Sequence, residues 1–84
     1  MKKEKRRDKL VLFGQRLREL RTARSWSQQE LADKLGCSKS LISHYENAKR
    51  EAGFTVLHEL SDIFNVKPGY LAGEFPTPKL KKII

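Results

Sequence analysis

The chain has 84 residues, 38% hydrophobic and 33% charged, which is enough for one small domain around a single modest core. No apolar run approaches the roughly 20 residues that span a bilayer, and no signal-peptide pattern is present, so the sequence predicts a cytoplasmic protein with no membrane segment. The net charge of +8 predicts attraction to polyanions, which could be nucleic acid or an acidic membrane surface.

Catalytic and metal-binding classes find no support in the residue pattern. Cys37 is the single cysteine, so it forms no internal disulfide, and it has no partners at metal-ligand spacing. The scattered glycines form no phosphate-binding loop, and no nucleophile with a base is evident. We therefore expect no enzyme, no metal and no cofactor, with Cys37 as a small turn residue.

Residues 1–9 carry six Lys and Arg and predict a basic, flexible arm, either solubilising or DNA-binding. From Leu10 to about Arg24 the pattern changes to that of a first helix. Apolar residues recur there at steps of three and four, the spacing of one helical face, at Leu10, Phe13, Leu17 and Leu20. Its other side is filled by Arg16, Arg18, Glu19 and Arg21.

Two short helices follow in close succession. Ser27 and Glu30 have the spacing of a capping box that begins the second helix, and Gly36 is placed to end it in the left-handed conformation. Ser38 is a suitable N-cap for a third helix from Lys39 to about Glu46. This arrangement is typical of a helix-turn-helix.

A loop from Asn47 to Gly53 leads to the fourth helix, which Asn65 can end. A short fifth helix is predicted near Pro68, before Gly73, Pro76 and Pro78 interrupt regular structure. We expect an all-α, five-helix domain over residues 10–74 and a basic tail over 75–84.

The third helix is divided into two arcs at about 100° per residue. The apolar residues Leu41, Ile42 and Tyr45 share one arc. The other arc carries short polar and basic side chains, of the kind that can donate to and accept from base edges in a major groove: Lys39, Ser40, Ser43 and His44. His44 could also be an ordinary surface histidine or a metal ligand, and its place on this arc favours DNA contact.

The segments "FGQRLRELRTARSWSQQELADKLGCSKSLISHYENAKRE" and "LHELSDIFNVKPGYLAGE" resemble the Cro and lambda-repressor-like (XRE-like) helix-turn-helix family. This resemblance implies base reading by Lys39, Ser40 and His44, with Ser43 close by. It implies phosphate contacts from five polar or basic residues: Gln28, Ser38, Asn47, Lys49 and Arg50. It also implies a structural ion pair between Arg21 and Glu46.

Several positions depart from the family pattern. Ser25 and Ala48 stand where glycine is common, and Ala52-Gly53 replaces a common Pro-Ser. The loop after the third helix keeps its course if Asn47 takes the left-handed conformation.

We expect a sequence-specific regulator of transcription, a repressor, that binds a palindromic operator in double-stranded DNA as a homodimer. One alternative keeps the fold but makes protein binding its main role, as in an antitoxin-like or co-activator-like module. Another is a basic membrane-surface or RNA-binding protein, for which a buried face on four helices would be superfluous.

Overall fold

The computed structural model describes the backbone of residues 2–73 and the side chains of residues 7–73. This part of the chain contains five α-helices and no strand: α1 (Lys2–Ala23), α2 (Gln28–Leu35), α3 (Lys39–Glu46), α4 (Phe54–Phe64) and α5 (Pro68–Leu71). The predicted five-helix, all-α fold is confirmed. Within the described range, no helix has both the length and the apolarity that a bilayer crossing requires. The tail predicted over residues 75–84 lies outside the described residues.

All five helices contribute to one core. Its helical members, each less than a tenth exposed, are Phe13, Leu17, Leu31, Ala32, Ile42, Tyr45, Leu60, Phe64 and Leu71. The rings of Phe13 and Tyr45 meet edge to face, with centroids 5.7 Å apart, which joins α1 to α3. The apolar faces predicted for the helices therefore pack against one another, and α3 lies against both α1 and α2.

The predicted helix ends are confirmed where capping signals mark them. The Ser27 hydroxyl accepts from the Glu30 amide at 3.0 Å, and the Glu30 carboxylate accepts from the Ser27 amide at 2.7 Å. Gly36 ends α2 with φ of 79°, and Asn65 ends α4 with φ of 57°. Side-chain caps and left-handed residues thus satisfy backbone groups that the helices leave unpaired.

The N-terminus differs from the prediction. Residues 2–9, expected as a flexible arm, are helical, because α1 begins at Lys2 and runs without interruption to Ala23. Lys, Arg and Glu are good helix formers, and neither glycine nor proline precedes Gly14 in the sequence.

Arg16 also differs from the prediction, since it is only 3% exposed although it was assigned to the polar side of α1. Its Nη1 donates to the Tyr70 carbonyl at 2.6 Å, and its guanidinium lies 4.2 Å from the centroid of the Tyr70 ring. A buried guanidinium needs such partners, and this one ties α1 to α5.

Gly14 sets the separation between α1 and α3. A Cβ atom at this position would lie 2.6 Å from the Glu46 carbonyl oxygen and 2.7 Å from that of Tyr45. These distances are too short for any side chain, so glycine permits the close approach that holds the C-terminal end of α3 against α1.

Candidate nucleic-acid interface

The turn between α2 and α3 holds the two helices in a fixed relation. Only Gly36, Cys37 and Ser38 separate them, and the amides of Gly36 and Cys37 both donate to the Ala32 carbonyl, at 2.8 and 2.9 Å. The Ser38 hydroxyl then accepts from the Leu41 amide at 3.1 Å and caps α3. Because the turn is closed by hydrogen bonds, the direction of α3 follows from that of α2.

The outer arc of α3 carries the four predicted base-reading residues. Lys39, Ser40 and His44 are exposed, while Ile42 and Tyr45 on the opposite arc are buried in the core. Ser43 is half-buried, and its hydroxyl accepts from the Asn47 amide group at 3.2 Å. The structure thus leaves three polar or basic side chains accessible together on a helix whose other side is fixed.

The predicted phosphate-contacting residues flank both ends of α3. Ser38 precedes the helix, and Asn47, Lys49 and Arg50 follow it as exposed residues of the connecting loop. Gln28 opens α2 and is half-buried, and its Nε2 donates to Glu46 Oε1 at 3.1 Å.

The loop after α3 has its left-handed residue at Ala48 and not at Asn47, the position that the sequence offered for it. Ala48 has the left-handed conformation, with φ of 59°, whereas Asn47 has φ of −98°. The Ala48 amide donates to the Tyr45 carbonyl at 3.2 Å and the Lys49 amide to the His44 carbonyl at 2.8 Å. This pairing, a Schellman motif, requires the left-handed residue one position beyond Asn47. Both amides are therefore occupied within the protein.

Glu46 connects α3 to α1 and α2 through a buried carboxylate. Arg21 donates from Nε to Oε2 at 2.6 Å and from Nη2 to Oε1 at 3.0 Å, in a bidentate arrangement. Oε1 also accepts from Gln28 and, at 3.4 Å, from Arg18 Nε. The Glu46 side chain is fully buried, so these donors replace the water it has lost.

The ionisation of this cluster follows from its contacts. Burial raises the pKa of Glu46, but hydrogen bonds from Arg21, Gln28 and Arg18 outweigh that effect and bring the pKa below its ordinary value. The same hydrogen bond to Glu46 raises the pKa of Arg21. Both partners are therefore charged at neutral pH, and the last turn of α3 is fixed by an ion pair.

Arg18 is a member of this site that the sequence analysis placed only on a polar helix face. Its side chain is 51% exposed, and besides Glu46 it contacts Asn47, with 3.4 Å from Nη2 to Oδ1. Its spacing from Arg21 is the sequence signal for this role, because residues three apart on a helix are neighbours.

Known proteins resemble this chain in sequence and in fold. The helix-turn-helix family model matches residues 17–71, which include all of α2, α3 and α4.

Two regulators of Bacillus subtilis strain 168 are similar in sequence. The SPbeta prophage-derived uncharacterized HTH-type transcriptional regulator YonR is 38% identical over 71% of this chain and 56% of its own length. The HTH-type transcriptional regulator ImmR is 36% identical over 74% of this chain and 49% of its own length. The chain thus spans about half the length of these relatives.

Two solved structures are also similar. The restriction-modification controller protein C.AhdI from Aeromonas hydrophila is 39% identical, with a TM-score of 0.68, over 74% of this chain and 94% of that one. The hypothetical transcription factor NHTF from Neisseria has a TM-score of 0.73 over 88% of this chain and 83% of its own. At 20% identity, the latter bears on the fold alone.

Proposed function

Because this chain belongs to the XRE-type helix-turn-helix family of DNA-binding transcriptional regulators, we propose that it reads a specific operator with α3. This family is not one of enzymes. The observation that carries the proposal is the exposure of Lys39, Ser40 and His44 on one arc of a helix whose opposite arc is buried. A helix held in this way can present short polar side chains to base edges without losing its orientation.

Affinity and sequence choice come from different residues. Gln28, Ser38, Asn47, Lys49 and Arg50 contact phosphates and supply binding that weakens as salt is added. Lys39, Ser40, Ser43 and His44 supply the discrimination between base pairs. The proposed DNA-binding domain covers residues 10–74.

The proposed assembly is a homodimer on a palindromic operator, with half-sites about 34 Å apart. Bound there, the protein acts in the cytoplasm as a repressor, because an occupied operator is closed to other proteins. Similarity to the transcriptional regulators named above supports a role in the regulation of transcription.

The first experiment is selection of preferred duplexes from a random pool at near-physiological salt. We expect a palindromic consensus whose half-site preferences change in the Lys39→Ala variant. Lys34→Ala is the matched control, because Lys34 is exposed on α2 beside Glu59 and Asp62 of α4. Salt-sensitive binding that enriches no sequence would reject base reading and favour the alternative of a protein-binding module.

A further inference from the structure

Asn47 directly follows α3, and its side chain donates hydrogen bonds back to Ser43, one turn earlier. Asn47 Nδ2 lies 2.9 Å from the Ser43 carbonyl oxygen and 3.2 Å from Ser43 Oγ. On the other side of the amide group, Arg18 Nη2 donates to Asn47 Oδ1 at 3.4 Å. The Asn47 side chain therefore connects α1 to one of the four proposed base-reading residues of α3.

The orientation of this amide group follows from its two partners. A guanidinium can only donate hydrogen bonds, and a carbonyl oxygen can only accept them. The reverse orientation of Asn47 would bring two donors together at Arg18 and would place two acceptors 2.9 Å apart at the Ser43 carbonyl. The NH₂ group of Asn47 therefore faces Ser43, and the Ser43 hydroxyl accepts from it.

The Ser43 hydroxyl is thereby left with a hydrogen to donate. A serine hydroxyl has one hydrogen and two lone pairs, and the bond from Asn47 uses a lone pair. Among residues 7–73, no acceptor takes the hydrogen. Ser43 is half-buried and lies one turn from the exposed Lys39 on α3, so a molecule that contacts this arc of the helix can accept the hydrogen.

We propose that Asn47, held by Arg18, is a positioning residue that makes Ser43 a hydrogen-bond donor to one base of the operator. In the major groove, guanine O6 and thymine O4 accept, whereas the amino groups of adenine and cytosine donate in their places. Ser43 therefore selects a base with an exocyclic oxygen. The inference rests on the proposed function and revises it at one residue, because an amide group that donates to both oxygens of Ser43 is not free to donate to a phosphate.

The test is selection of preferred duplexes by variants of the full chain. Ser43→Ala first identifies the base pair that Ser43 contacts, as the position at which the preference falls by at least about threefold. Asn47→Asp should reverse the preference there by a transition, between G·C and A·T, because a carboxylate accepts the hydroxyl hydrogen and leaves Ser43 as an acceptor. Arg18→Ala should weaken the preference at the same position without reversing it. Arg18→Lys should restore part of it, because lysine also donates.

Lys49→Ala is the matched control for Asn47→Asp, since each variant makes the loop more negative by one unit of charge. It should weaken binding to every sequence and leave the base preferences unchanged. Hydrogen exchange of side-chain amides, followed by NMR in the free protein, gives a second measurement. Exchange should be slower for Asn47 than for Asn65, whose amide group makes no side-chain hydrogen bond within residues 7–73.

Several results would overturn the inference. One is a Ser43→Ala variant with the preferences of the parent, and another is an Asn47→Asp variant whose preference at the Ser43 position is not reversed. An Arg18→Ala variant that weakens binding to all sequences alike and lowers the salt slope would make Arg18 a phosphate contact instead. Exchange at Asn47 as fast as at Asn65 would reject the hydrogen bonds themselves. A parent that selects no sequence would reject the proposed function and the base contact with it, while slow exchange at Asn47 would still show its bonds to Ser43.

Discussion

Arg21 and Glu46 join the first helix to the last turn of α3 through a bidentate ion pair, with 2.6 Å between Nε and Oε2. The Glu46 side chain is fully buried, so removal of Arg21 leaves a carboxylate without its main partner. We expect Arg21→Ala to lower the free energy of unfolding by about 3–5 kcal/mol. Urea denaturation measures this loss.

Arg18→Ala is the matched comparison for Arg21→Ala. Arg18 is half exposed and its contact with Glu46 is long, at 3.4 Å, so its removal should cost about 1 kcal/mol or less. Equal losses in the two variants would show that Arg21 has no special role.

Stability should also depend on pH through Glu46. Burial raises the pKa of Glu46, but the hydrogen bonds lower it by more, so the pKa lies below its ordinary value of 4.5. The carboxylate therefore stabilises the fold fully above pH 4.5, and this contribution is lost as the pH falls through the lowered pKa.

The Glu46→Gln variant tests this dependence. It should be less stable than the parent at pH 7, and the difference should narrow as the pH falls below 4.5. Denaturation curves across this range measure both proteins. A difference that stays constant with pH would assign the pH dependence to other groups.

Ala48→Gly should stabilise the protein. Ala48 has φ of 59°, a conformation that costs a residue with a Cβ atom roughly 1–2 kcal/mol and costs glycine little. The greater freedom of glycine in the unfolded chain offsets part of this relief. We therefore expect a net increase of about 0.5–1 kcal/mol in the free energy of unfolding, measured by thermal denaturation. Ala23→Gly, at the helical end of α1, is the control and should destabilise. A loss at Ala48 as large as at Ala23 would contradict the assigned conformation.

Gly14→Ala should disturb both folding and DNA binding. The added methyl group would meet two backbone carbonyls of α3 at 2.6 and 2.7 Å, and neither can rotate away. We expect a loss of about 1–3 kcal/mol in stability, together with weaker DNA binding as α3 shifts. Gly53→Ala has nothing within 4 Å of the new atom and a negative φ, so it should cost less, with the loss limited to the poorer N-cap that alanine gives α4. Similar effects at both positions would argue against the close approach of α1 and α3.

Binding measurements should distinguish residues that contact bases from residues that contact phosphates. Lys39→Ala and His44→Ala should each cost about 1–3 kcal/mol on the preferred sequence and change which base is preferred. Lys49→Ala should weaken binding to every sequence and lower the salt slope by roughly one unit. Titrations at several salt concentrations distinguish the two classes. A Lys49→Ala variant with the slope of the parent would remove Lys49 from the phosphate contacts.

The local features were predictable because their signals are local. Three features depend only on residues within one helical turn: the capping box of Ser27 and Glu30, the left-handed Gly36 and the cap at Ser38. The apolar periodicity likewise predicts which side of α3 is buried.

Features that depend on distant parts of the chain were not predictable from these patterns. Arg16 looks like an ordinary surface arginine until α5 brings Tyr70, 54 positions away, against it. Gly14 lacks a local signal, because its requirement comes from the carbonyls of another helix. A left-handed Asn47 was the condition under which the loop would keep its course, but the hydrogen bonds that end α3 place that conformation at Ala48.

The two-sided construction of α3 has an evolutionary consequence. Ile42, Tyr45 and Glu46 attach the helix to the rest of the domain, while Lys39, Ser40 and His44 contribute little to that attachment because they are exposed. With the proposed base-reading role, substitutions at the exposed positions would change which DNA sequence is preferred at little cost to folding. The same scaffold would then acquire a new target site by a few single-residue changes, without passing through an unstable intermediate.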